Sequence, residues 1–519
     1  MSRCMESWYA DGRDRKPSMR RAWLGVLVFV AVLSGGIARA DTYRNFSEAI
    51  PVSGEPVGAT WHQIYSSGLH SVKALGDSIF IAWFGEGSSG QGVYLTRSLD
   101  GGVSFETPVM VTDTVGVCAY RSSLALGPGG CIYLVWDDER GGEALEHNIY
   151  FAKSVDGGQT FGANVRVDDA GDSWTNQEEP AVAVDDSGRI YVVWLDERGN
   201  GFSGVFFSRS LDGGLTFEPH TELPNYETGW HQYGPSIVAF GDGQVCVSYV
   251  DERHVHPNPP MYVTTRYSSD AGATFGSPVP VDSCGARTMH TSLCHAGGDD
   301  LYVAWAEEDD YCWVAMSPDG AQTFQPGVQV NSDPAGWDVI STLTADSSGY
   351  VAVAWNHTSD ALGYSESRDG GQTFLPMIEL SGPEDRFWPT IGIDLEHTVY
   401  LAWTDQQAGD LGDIYFSKGM ADCAGIPGDG ATEPAPGRLF SIYPNPFTSE
   451  VMIRSLGERS GSVVNIYDLR GRLVGCLSLH GGYAEWDGCN EAGLPLAPGA
   501  YILKASPSQG RAVKVILTR

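Results

Sequence analysis

SVDGGQTF, residues Ser154 to Phe161, is a turn that carries its own hydrogen-bond partners. The aspartate accepts from backbone amides of its own loop, and glycine supplies positive φ. The threonine bonds locally, and the closing phenylalanine is expected to be buried between neighbouring sheets. Five variants recur: SLDGGVSF at Ser98, SLDGGLTF at Ser210, SSDAGATF at Ser268, SPDGAQTF at Ser317 and SRDGGQTF at Ser367. Successive first serines lie 56, 56, 58, 49 and 50 residues apart. A period of this length marks a repeat architecture.

Working outward, each turn follows an aromatic-rich alternating strand, such as Val93 to Arg97 or Val205 to Arg209. Before that comes a strand ending in an aromatic: Ile79 to Trp83, Ile132 to Trp136, Ile190 to Trp194, Val245 to Tyr249, Leu301 to Trp305, Tyr350 to Trp355 and Val399 to Trp403. A strand of small residues leads, as at Ser123 or Ser236, and fits an innermost position near an axis. A fourth strand follows the turn, as at Val109 or Val165. Four antiparallel strands per period describe a propeller blade. The second strand occurs seven times and the turn six, because the seventh unit loses its turn after Ile414 to Lys418. FSEAIPV at Phe46 matches FETPVMV at Phe105 in pattern, so the mature N-terminus is expected to supply the last blade's outer strand and close the ring. The fold class is all-β: a seven-bladed β-propeller over 41–422, a linker over 423–437, and a small C-terminal β-sandwich over 438–519.

The first 40 residues read as a signal peptide. Arg20 and Arg21 precede an apolar stretch from Ala22 to Ile37, and Ala38-Arg39-Ala40 is a small-x-small cleavage pattern. The 519-residue chain carries 32 Lys+Arg against 65 Asp+Glu, a charge of −33. Removing residues 1–40 takes seven basic and three acidic residues, leaving −37. That excess repels nucleic-acid phosphates and anionic lipid, so neither is an expected partner. No segment of the mature chain is long and apolar enough for a transmembrane helix. Nine cysteines remain after cleavage, none in a zinc spacing; Cys476 and Cys489 are the pair expected to join.

Strand polarity puts two sets of loops on one face, those before the innermost strand and those after the second strand. Trp61, Trp174, Trp230, Trp337 and Trp388 stand just before innermost strands, with His231 beside Trp230. Aromatic faces at a propeller mouth stack on sugar rings, so these six are the expected ligand-binding residues; packing between blades is the competing role. The second set of loops carries Asp137-Asp138-Glu139-Arg140, Asp196-Glu197-Arg198 and Asp251-Glu252-Arg253. Three copies at equivalent positions indicate ion pairs that staple blades. No cofactor is expected, although Glu307 to Asp310 offers oxygen ligands that suit Ca²⁺. No phosphate loop and no G-x-S-x-G appear.

S-x-D-x-G-x-T-F resembles the Asp-box (BNR) signature of the sialidase-like propeller superfamily. The resemblance implies three arginines that hold a sugar carboxylate, for which Arg121, Arg287 and Arg386 are the candidates. It also implies a tyrosine nucleophile backed by a glutamate, for which Tyr233 or Tyr120 and Glu178 or Glu179 are candidates. The sequence departs from the sialidase pattern at F/Y-R-I-P, where it has Tyr120-Arg121-Ser122-Ser123. In the C-terminal region, YPNPF at Tyr443, Glu485-Trp486-Asp487-Gly488 and PGAY at Pro498 resemble the sorting domains of type IX secreted proteins and the Ig-like domain of hook-capping proteins. That resemblance implies secretion or display on the bacterial cell surface. The expected function is binding of a glycan or envelope polymer. The alternatives are an exo-α-sialidase-like hydrolase and a structural surface protein with protein partners.

Overall fold

The computed structural model describes residues 44–421 apart from 55–61, 64–69, 88, 115–118, 141–146, 170–175, 199–201, 224–229, 253–260, 283–289, 308–310, 333–340, 359–360, 382–384, 395–396 and 407–411, together with the strands and some adjoining residues of 440–517. The chain divides into two compact units, 1–424 and 425–519.

The first unit is seven antiparallel sheets in sequence order. Blade 1 runs Val72–Leu75, Ser78–Gly87, Gly90–Ser98 and Val109–Met110, inside to outside. Blades 2 to 6 repeat this order and begin with the inner strands Ala119–Gly127, Gln177–Val184, Gln232–Phe240, Thr291–Gly297 and Ser341–Ala345. Blade 7 has Asp385–Ile393, Val399–Gln406 and Asp413–Ala421, and takes its outer strand from Arg44–Phe46 and Ile50–Pro51. Phe46 pairs with Gly419 and Ile50 with Phe416, and the Val52 amide donates to the Ile414 carbonyl at 2.8 Å. The expected closure by the chain's beginning is therefore present.

Seven apolar cores lie between successive blades, each built from alternate residues of two sheets. The core between blades 7 and 1 joins Ile81 and Trp83 to Tyr400 and Phe416, which makes the array a closed ring. Inner strands are also stitched to their neighbours: the Leu343 amide donates to Ser292 Oγ, the Leu293 amide to Ser236 Oγ, and the Ser71 amide of blade 1 to Thr390 Oγ1 of blade 7. Only small side chains allow strands to approach this closely, which explains the small-residue pattern. The aromatic ending each second strand is buried, and each such ring contributes on the order of 1.5–3 kcal/mol through the area removed from water.

The turns behave as self-contained units. In the first, Ser98 Oγ donates to Asp100 Oδ1 and accepts from the Gly102 amide, while Asp100 accepts from the Val103 and Ser104 amides and the Ser104 hydroxyl. The closing rings are half-buried rather than buried, and three of them meet a ring of the preceding blade edge-on: Phe105 on Phe416, Phe217 on Phe151, Phe275 on Phe207.

The second unit packs a three-stranded sheet (Phe440–Tyr443, Val451–Ser455, Tyr483–Trp486) on a four-stranded one (Leu473–Ser478, Val463–Asp468, Gly499–Ser506, Val513–Leu517). Ile453, Val464, Trp486, Tyr501, Leu503 and Val515 form its core, a β-sandwich. The expected Cys476–Cys489 disulfide is absent: Cys476 is a thiol exposed on its strand, and Cys489 is half-buried after Trp486.

Candidate functional site at the mouth of blades 2 to 4

The inner strands begin at the face that carries the two loop sets. Four of them slip register there: between Ala119 and Ser122, Glu178 and Ala181, Tyr233 and Ser236, and Phe387 and Thr390. Glu179, Gly234 and Trp388 stand at one equivalent position with φ of 55°, 51° and 54°. Proline follows each of them, and blade 2 has Arg121 in the proline's place. A bulge re-aims side chains and ends pairing, and a non-glycine residue at positive φ costs on the order of 1–2 kcal/mol. Repeated at four blades, the device sets the shape of the mouth.

Arg121 is 7% exposed, and its Nη1 lies 2.9 Å from Glu178 Oε2 of blade 3 and 3.7 Å from Asp137 Oδ2 of its own blade. Asp137 also pairs with His147 Nδ1 at 2.8 Å. His147 Nε2 is 3.5 Å from Glu139 Oε1, which accepts the Tyr120 hydroxyl at 3.1 Å. The Tyr120 and His147 rings sit 4.8 Å apart. Burial pushes the Asp137 carboxyl up, against the pull of His147 and Arg121. Burial opposes charge on His147 as well, but its bond to Asp137 and the charge of Glu178 raise it above the usual imidazole range. Glu197, in the next loop, is raised by burial and by Glu178.

An aromatic run continues the site into blade 4. The Phe202 ring meets His231 edge-on at 5.1 Å, and His231 stacks on Tyr233 at 5.7 Å. His231 Nδ1 accepts from the Ser203 amide at 3.1 Å, which leaves the imidazole proton on Nε2. The Gly234 amide donates to Glu179 Oε2 at 3.2 Å, tying this run to blade 3. Trp230 is half-buried immediately before the strand.

Arg386 lies elsewhere. Its Nε is 3.3 Å from Asp405 Oδ2, its Nη1 donates to the Leu380 carbonyl on the outer strand, and its guanidinium lies over Trp403 at 5.1 Å. Blades 2 and 3 have the same staple: Trp136 Nε1 and Arg140 both donate to Asp138, and Trp194 Nε1 and Arg198 both donate to Asp196. Arg140 and Arg198 go on to Asp113 and Asp169, beyond the outer strands of the preceding blades. Arg386 fills the staple position that Gln406 and Gln407 leave without a cation. Arg121 and Arg386 thus bind carboxylates on different blades. Trp388 is half-buried in blade 7, its amide donating to Asn356 Oδ1. Arg287, Trp61, Trp174, Trp337 and Glu308 to Asp310 lie outside the described residues. Among the described residues, no group of three His, Cys, Asp or Glu side chains is arranged to hold a metal.

Sequence reasoning passed over Asp137, His147 and Glu197 as members of the site. One signal was available: Asp137 stands where equivalent strands have Phe84, Leu195, Val250 or Ala306. The remaining equivalents, Asn356 and Thr404, are polar but neutral, so a carboxylate at this repeat position belongs to blade 2 alone and asks for a reason beyond the repeat.

Residues 441–518 match the family model described as a secretion system C-terminal sorting domain. The chain carries a type IX secretion sorting tail. Such a tail marks it for export, to the cell surface or beyond. Comparison with solved structures returns propellers. A polysaccharide lyase of family PL25, an ulvan lyase, is 11% identical, with 70% of this chain and 95% of that chain covered at a TM-score of 0.49. The Hadza microbial sialidase Hz136 is 15% identical over 64% and 74%, at 0.43. An α-L-arabinanase of Penicillium chrysogenum is 14% identical over 57% and 92%, at 0.41. No curated protein matches the sequence.

Proposed function

We propose that this chain is a secreted or surface-displayed propeller that binds a glycan or envelope polymer at the mouth of blades 2 to 4. The observation that carries the reading is one continuous strip: Phe202, His231 and Tyr233 offer ring faces, and the Glu179–Gly234 bond joins them to the Arg121–Glu178 pair. Ring faces pack on the apolar faces of sugars, while a guanidinium and carboxylates address hydroxyls. The sorting tail accounts for delivery to a place where such polymers occur.

The second reading is a glycoside hydrolase. It is favoured by Glu197, a carboxyl raised by burial and by the charge of Glu178, since an acid beside a carboxylate is the pairing that glycosidic cleavage uses. A glycan array with the mature protein separates the two. The binder predicts retention of a defined glycan class, weakened at least tenfold by Tyr233→Ala, with no turnover of fluorogenic glycosides. Turnover that Glu197→Gln abolishes supports the hydrolase. Silence in both assays leaves a structural role and removes both readings.

A further inference from the structure

The aromatic strip of the mouth is edged by carboxylates that the fold leaves without cations. In blade 4, Gln232 pairs with Asp251, and the Glu252 amide donates to the His231 carbonyl at 3.1 Å. Glu252 therefore stands directly across from His231. Residues opposite one another on antiparallel strands share a face, with Cβ atoms roughly 5 Å apart. Tyr233 follows His231 by two and lies on the same face, its ring stacked on the imidazole. Blade 3 repeats the arrangement. Gln177 pairs with Asp196, and the Glu197 amide donates to the Asn176 carbonyl at 3.2 Å. Glu197 thus shares its face with Glu178, which follows Asn176 by two.

The other charges of the mouth are already matched. Arg121 is shared by Glu178 and Asp137, and Glu179 accepts the Gly234 amide. In blade 2 the residue equivalent to Glu197 and Glu252 is Glu139, which accepts the Tyr120 hydroxyl beside His147. Among the described residues, the carboxylates of Glu197 and Glu252 have no hydrogen-bond or ion-pair partner. Arg198, the residue after Glu197, is held by Asp196 and Asp169. His231 supplies no cation either, since its Nδ1 accepts the Ser203 amide. Burial and the charge of Glu178 raise the Glu197 carboxyl, in keeping with acids gathered without a cation.

We propose that the mouth selects glycans that carry free amino groups, with Glu197 and Glu252 taking the ammonium beside the rings of His231 and Tyr233. This names the ligand class of the glycan-binding reading and rests on it. A sugar seated on the strip takes these carboxylates out of water, which costs free energy unless each finds a partner. Hydroxyls return part of that cost, and a uronate adds repulsion. An ammonium brings three donors and the opposite charge, and ring faces attract it as well. Acetylation of the amine removes the charge. The whole chain, at −33, also draws polycations from a distance.

The test is calorimetric titration of the mature chain with glucosamine, N-acetylglucosamine and galacturonate oligomers of equal length, just below neutral pH, where the amine is protonated. The glucosamine oligomer is expected to bind about tenfold tighter than its N-acetylated form, the effect of roughly one charge-assisted contact. Added salt should narrow the gap, and Glu197→Gln combined with Glu252→Gln should close it. No binding of the glucosamine oligomer, preference for either other oligomer, or a gap that survives in the double variant overturns the proposal. Should the double variant lose cooperative unfolding, salt dependence of the unmodified chain decides, and a gap that salt leaves unmoved overturns it. The glycan reading fails separately: retention on an array of a glycan without amines, weakened by Tyr233→Ala, keeps that reading while this proposal falls.

Discussion

Gly214 has φ of 93°, and a Cβ there would lie 2.5 Å from the Phe151 ring of the preceding blade. Gly102 and Gly272 meet Phe416 and Phe207 in the same way. In these three turns the second glycine is therefore fixed twice, by backbone sign and by the neighbour's ring, whereas blade 5 carries Ala321 at this position with φ of 65°. Gly214→Ala is expected to cost about 2–5 kcal/mol in chemical denaturation, the sum of a left-handed alanine and an overpacked contact. Ala271 holds φ of 59° at the first glycine's position; Ala271→Gly is expected to change stability by less than about 1 kcal/mol. At the mouth, Arg121→Met would leave Glu178 and buried Asp137 without their shared cation. Calorimetry should show loss of glycan binding together with a drop in stability of about 3–5 kcal/mol, the cost of a broken buried pair. At this scale the sequence was partly legible. Arg121 and Glu178 could be picked out, but their meeting across blades 2 and 3 depends on a register slip that no local pattern announces. Arg386 misled because a staple written as Asp-Glu-Arg in blades 2 and 3 draws its cation in blade 7 from a different strand.

At the scale of elements, the N-terminal strand is held by more than its ladder. Arg44 Nε lies 2.6 Å from Glu366 Oε2 of blade 6, and Arg44 also donates to the Gly419 and His397 carbonyls and the Tyr350 hydroxyl. Tyr350 and Tyr364 donate to the same carboxylate. Burial disfavours a charged Glu366, but its bonds from Tyr350, Arg44 and Arg368 outweigh that and hold its carboxyl at about 2. A depressed carboxyl contributes stability above its unfolded pKa and loses it as pH falls toward the folded value. Stability is therefore expected to fall between about pH 4.5 and pH 2, by on the order of 3 kcal/mol from this group. Urea titrations should show a weaker acid dependence in Glu366→Gln than in the unmodified chain; an unchanged slope would remove Glu366 from the lock. The strand exchange itself was legible, because a unit count of seven against a turn count of six leaves one strand to find. Arg44 was not, since nothing in a lone arginine at the head of a short strand names a partner 322 residues away.

For the whole molecule, the repeat spacing, the seven aromatic-ended strands and the missing last strand were enough to define the ring, and the C-terminal motifs were enough to define the tail. Each unit has its own apolar core. Removing 425–519 is expected to leave a cooperatively folding propeller by circular dichroism that stays with the cells instead of reaching the surface or medium. Function was less legible, because a propeller's chemistry sits in mouth loops that differ from blade to blade while the repeat speaks only for the scaffold. The most direct measurement is hydrogen exchange of the mature protein with and without the glycan best retained on an array. The account predicts new protection at residues 119–123, 177–181 and 232–236, where the inner strands of blades 2 to 4 begin. Protection confined to the S-x-D-x-G-x-T-F turns of the opposite face would contradict it.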